Sequence, residues 1–148
     1  SLALAMVDKI RNESGKTALF VSTDALAELY SRRFDDKVLQ NRLYELIDLM
    51  QGNRQLKIEP VDVLVLDDFG TEGGMKGTIR PVHKTMQELM YDINNARFGK
   101  KYTIITTNNT VEELRAMYNV KLISRLIPTN AEHTLNFNGL TDVRSKML

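Results

Sequence analysis

Cysteine is absent from the 148 residues. That excludes disulfides and thiolate metal sites, and it fits a reducing, cytoplasmic setting. Histidine is nearly absent too. His83 and His133 stand fifty positions apart with no acidic partner at ligand spacing, which argues against a zinc site. Charge of one sign is also lacking: 20 basic against 19 acidic residues leave a net charge of +1. Any nucleic-acid contact must therefore come from a local patch. No apolar run approaches the ~18 residues needed to cross a bilayer. Ser1 to Lys9 are apolar but lack the basic start and small-residue cleavage site of a secretion signal. No repeat or low-complexity segment occurs. With 43% hydrophobic and 26% charged residues, residues 1–148 read as one ordinary globular domain.

What is present alternates between helix and strand. Leu2, Met6 and Ile10 form an apolar helix face, and Asn12–Gly15 reads as a turn. Thr17–Ser22 reads as a strand, with Thr23 or Asp24 capping a helix that repeats Leu26, Leu29 and Tyr30. The next helix is expected over Asp36–Met50, turning Val38, Leu39, Leu43, Leu46, Ile47 and Met50 inward and ending at Gly52–Asn53. A strand over 61–67 is followed by a loop over 70–77 in which four of eight residues are glycine. A helix over Pro81–Arg97 places Met86 and Met90 in the core, and a strand follows over 102–107. Thr110 and Glu113 have capping-box spacing for a helix to Tyr118. A basic helix over Val120–Leu126, a strand over 134–137 and a turn around 142–146 complete the chain. The order implies an α/β fold with a mostly parallel sheet between helix layers.

The most informative stretch is Val61–Asp62–Val63–Leu64–Val65–Leu66–Asp67–Asp68–Phe69–Gly70. Its aliphatic run fits a strand buried on both faces. The paired carboxylates fall at its carboxyl end, where open α/β sheets bind ligands. One acid can hold Mg²⁺ while its neighbour orients a water, and a solvated Asp-Asp turn is the plainer alternative. In Ile104–Ile105–Thr106–Thr107–Asn108, a strand ends by offering an uncharged amide that can hold a water or sense a γ-phosphate. A simple strand-to-helix connection fits equally well. Arg125 in Ser124–Arg125–Leu126 has the planar fork that suits phosphate oxygens, or a surface ion pair. Arg32–Arg33, Lys100–Lys101 and Lys121 are candidate contacts to a DNA backbone, with solvated charge as the alternative.

Taken in order, Asp-Asp-Phe-Gly, Thr-Thr-Asn, Ser-Arg-Leu and Asn136–Phe137–Asn138–Gly139 with Arg144 resemble the helicase-loader family of AAA+ ATPases, the DnaC/DnaI proteins. The related IstB transposition ATPases share much of this order. The resemblance implies a three-layer αβα P-loop core, with ATP and Mg²⁺ bound at a subunit interface. It implies Mg²⁺ on Asp67, a water polarised by Asp68 and sensed with Asn108, and Arg125 acting as an arginine finger toward the next protomer. Arg144 would contact the nucleotide of its own subunit. The implied partners are a replicative ring helicase, single-stranded DNA and further copies of the chain in a ring or spiral. An IstB-like ATPase assisting a transposase, or a nucleotide-inactive adaptor of the same fold, are the alternatives. One element of the family is missing. Ser14–Gly15–Lys16–Thr17 has no upstream glycine and leads into a strand, so it is no phosphate loop. The resemblance thus implies a first strand and phosphate loop lying ahead of Ser1.

Overall fold

The computed structural model describes residues 2–70 and 79–127. The strand expected over 134–137, the turn around 142–146 and Arg144 lie outside the described residues, as does all but Gly70 of the glycine-rich loop.

The chain runs α1 (Leu2–Ser14), β1 (Ala18–Ser22), α2 (Thr23–Ser31), α3 (Lys37–Gln51), β2 (Val63–Asp67), α4 (Lys84–Arg97), β3 (Tyr102–Ile105), α5 (Val111–Met117) and α6 (Val120–Leu126). The three strands form an open, all-parallel sheet in the order β1-β2-β3. Ala18 is in register with Val63, and Val63 with Tyr102. Successive strand side chains point to opposite faces, and β2 uses both. Val63 and Val65 pack with Ala18 against Val7 of α1. Leu64 and Leu66 face the main core, with Leu43 and Met50 of α3, Met86, Met90 and Ile93 of α4, and Leu114, Leu122 and Ile123 beyond. A central strand covered on both sides needs an unbroken aliphatic run, and 63–66 supplies one.

Several boundaries differ from the sequence expectation for local reasons. Residues 12–14 are helical, not a turn: α1 continues to Ser14, whose hydroxyl donates back to Ile10 O, and Gly15 follows at φ +69°. The buried seam of α1 runs through Val7 and partly buried Ile10, leaving Met6 exposed. The cap of α2 is Ser22, whose Oγ accepts the Ala25 N–H, because Thr23 is turned inward to other partners. Val38 is 70% exposed in the first turn of α3, while Leu43 and Met50 are fully buried. Helix α4 begins at Lys84, not Pro81. The Val82 N–H is bound to Met117 O at 2.9 Å, and His83 Nδ1 caps the helix by accepting the Thr85 N–H. Strand β3 stops at Ile105, two residues early, as Thr106 and Thr107 turn their hydroxyls to the end of β2. The capping box of α5 forms as expected: Thr110 N–H donates to Glu113 Oε1 (2.9 Å) and Glu113 N–H to Thr110 Oγ1 (3.1 Å).

Candidate functional site

Parallel neighbours end on the same rim, so the carboxyl ends of β2 and β3 bring residues 67–70 beside 106–108. The two segments are joined by hydrogen bonds from residue to residue. Thr106 N–H donates to Leu66 O (3.0 Å) and Phe69 N–H to Thr106 O (2.8 Å). Thr106 Oγ1 donates to Asp67 Oδ1 (2.6 Å) and accepts the Asp68 N–H (3.0 Å). Thr107 Oγ1 donates to Phe69 O at 2.5 Å. From the other side, the wholly buried Thr23 donates its hydroxyl to Asp68 O (3.0 Å), with Asp67 O at 3.3 Å.

This framework holds an unusual backbone. Asp68 has φ +55°, a left-handed conformation that side-chain-bearing residues seldom adopt and that Asp and Asn tolerate best. Phe69 then plunges into the core, fully buried and stacked on Tyr118 with ring centroids 4.9 Å apart and planes at 15°. Gly70 follows at φ +104°, where a Cβ would collide with Asn109 Oδ1 and come within 2.9 Å of Leu114 Cδ2. Phe69 therefore acts as an anchor that fixes the turn, and Asp67 and Asp68 are what the turn displays. Asp67 is half-buried, while Asp68 and Asn108 are exposed on the rim.

Of the expected site residues, the fold brings Asp67, Asp68 and Asn108 to one rim. Arg125 lies elsewhere. It donates to Asn95 Oδ1 (2.6 Å) and sits 5.7 Å over the Tyr91 ring, both on α4. Asn95 is close to the carboxyl end of α4, which leads back to the start of β3, so this contact faces away from the acidic rim. Arg144 lies outside the described residues. Among the candidate DNA contacts, Arg32 pairs with Asp35, Arg33 stacks on Tyr30 and Phe34, and Lys101 is bound to Asp62. Lys100 and Lys121 are exposed.

The Gly15–Lys16–Thr17 segment occupies the opposite, amino-terminal rim. Thr17 N–H and Oγ1 donate to Asp62 Oδ2 at 3.0 and 3.1 Å, and Lys101 Nζ meets Asp62 Oδ1 at 2.9 Å. The Lys101 ammonium first, and the Thr17 donors after it, pull the Asp62 carboxyl down to about 2. Beside it Arg97, 1% exposed, donates to Met50 O, Tyr102 O and Thr103 Oγ1 at 2.7–3.0 Å. Burial lowers its guanidinium to about 10, and Asp62 opposes that shift.

Chemically, the acidic rim suits a small hard cation. Thr106 donates to Oδ1 of Asp67, no described group donates to its Oδ2, and the Asp68 carboxylate is next in the chain. Among the described residues no cluster of three or more His, Cys, Asp or Glu could cage a metal. One or two carboxylates, completed by water and phosphate oxygens, is how Mg²⁺ is commonly held. A groove of about 310 Å³ between α2, α3 and α4, lined by Tyr30, Arg33, Tyr44 and Asp92 among others, contains none of these residues.

The sequence alone assigns no part to Thr106 and offers Thr23 or Asp24 as the cap of α2, where the structure has Ser22. A hydroxyl residue immediately past an aliphatic strand, beside acids that end the neighbouring strand, was the available signal. No family model matches the chain, and neither a curated protein nor a solved structure matches it.

Proposed function

We propose that the acidic rim is half of an ATP-hydrolysing site in a P-loop core of the AAA+ helicase-loader type. The observation that carries this reading is the joining of Asp67–Asp68 to the Thr106–Asn108 segment at the carboxyl ends of adjacent parallel strands. Ligands of open α/β sheets bind in that position. Mg²⁺ fits the donor set there and would supply charge neutralisation at the phosphates. Asp67, its carboxylate oriented by the Thr106 hydroxyl, would hold the ion. Asp68, exposed and held in place by its backbone, orients a water for in-line attack, and the Asn108 amide fixes that water without adding charge.

Arg125 belongs to a different surface of the chain, which suits a residue that serves the nucleotide of a neighbouring copy. Arg144 would contact the nucleotide of its own subunit. On this reading the work of the cycle is cytoplasmic: placing a replicative ring helicase on single-stranded DNA, with nucleotide state switching affinity for partner and DNA. No helix among the described residues is long and apolar enough to cross a membrane.

The direct test is Asp68→Asn in the native-length protein. Asparagine accepts the left-handed backbone as readily as aspartate, so the substitution removes charge and leaves the turn in place. ATP binding should persist while hydrolysis falls by about 10² or more. Turnover equal to wild type would take Asp68 out of the mechanism.

A further inference from the structure

We propose that Thr106 is the positioning residue of this site, orienting the Asp67 carboxylate for a divalent cation and fixing the turn at Asp68. The inference rests on the reading above and adds a residue that the resemblance does not assign.

The argument is an accounting of protons and lone pairs. A threonine hydroxyl has one proton to give and two lone pairs to offer. Thr106 gives its proton to Asp67 Oδ1 at 2.6 Å and accepts the Asp68 N–H at 3.0 Å. Its backbone is engaged as well, the N–H by Leu66 O and the carbonyl by the Phe69 N–H. Rotating the hydroxyl away would release both a carboxylate oxygen and a backbone donor, so the geometry is locked from two directions. The Thr106 proton takes one of the two lone pairs on Oδ1 and so sets the orientation of the Asp67 carboxylate, whose Oδ2 would be the less encumbered oxygen for a cation. Thr23 grips Asp68 from the other flank by donating to its carbonyl. The two peptide units flanking the Asp68 Cα are thereby held by hydroxyls from both neighbouring strand ends, one through its N–H and the other through its carbonyl, and φ between them is +55°. Thr106 also stands two residues before Asn108.

The probe is Mn²⁺, followed by electron paramagnetic resonance in the presence of a non-hydrolysable ATP analogue, using the native-length protein. Thr106→Val keeps the shape and removes the hydroxyl, and should weaken Mn²⁺ binding about 10- to 100-fold. Thr106→Ser, which restores the hydroxyl, should recover most of that loss. Wild-type Mn²⁺ affinity in Thr106→Val would overturn the inference and leave the ATPase reading standing. No Mn²⁺ binding by the wild-type protein would overturn that reading and the inference together. Should Thr106→Val fail to fold, amide hydrogen exchange in the unaltered protein decides. The Asp68 N–H should be protected well beyond its exposed neighbours, and free exchange there would overturn the clamp.

Discussion

Asp62 shows how much one side chain can be asked to hold. Its two oxygens take the Thr17 donors and the Lys101 ammonium, joining the starts of β1, β2 and β3. These contacts lower the carboxyl from its ordinary 3.8 to about 2. Between those values the unfolded chain binds the proton that the folded chain refuses, so stability falls as acid is added across that window. The contribution is complete above the upper value and gone below the lower one. Asp62→Asn should therefore narrow the gap in melting temperature between about pH 6 and pH 2.5. Added salt should narrow it in wild type too, since the pair is part-exposed. An acid profile identical in Asp62→Asn and wild type would show that other carboxylates carry the transition.

Elements are stitched together by Arg97, at the carboxyl end of α4. Its donors reach the last turn of α3 through Met50 O and the start of β3 through Tyr102 O and Thr103 Oγ1. Arg97→Ala leaves the buried Met50 carbonyl without its guanidinium donor and empties the side-chain volume, and should cost about 3 kcal/mol by urea denaturation. Lysine should not rescue it, since one ammonium cannot span acceptors that a planar fork meets together. A loss below about 1 kcal/mol would mean that water replaces the guanidinium. Most elements were legible in the sequence because local signals named them: the aliphatic run of 63–66, the Thr110/Glu113 spacing, Gly52 after α3. Where reading failed, a tertiary contact had overridden a local one. Pro81 looked like a helix start, yet Val82 was bound to Met117; Thr23 looked like a cap, yet its hydroxyl was needed at Asp68. Arg97 was legible only as a helix end, because burial of a charged residue among carbonyls leaves no periodic trace.

At the scale of the whole molecule, the sheet order decides which of the expected residues can act together. Asp67, Asp68 and Asn108 meet because β2 and β3 are parallel neighbours, while Arg125 is bound to Asn95 on another surface. If Arg125 serves the proposed site, it serves that of an adjoining copy. Two inactive variants, Arg125→Ala and Asp68→Asn, should then regain turnover when mixed, with about a quarter of the interfaces joining an intact Asp68 to an intact Arg125 in a random equal mixture. A mixture as inactive as its components would confine Arg125 to its contacts with Asn95 and Tyr91. The two rims also divide labour. The ion pair and the stitched arginine sit where the strands begin, and the clamped acids sit where they end. Substitutions at one pole should therefore add to those at the other without altering them, so that the base of the sheet can be toughened while the acidic rim keeps its own geometry.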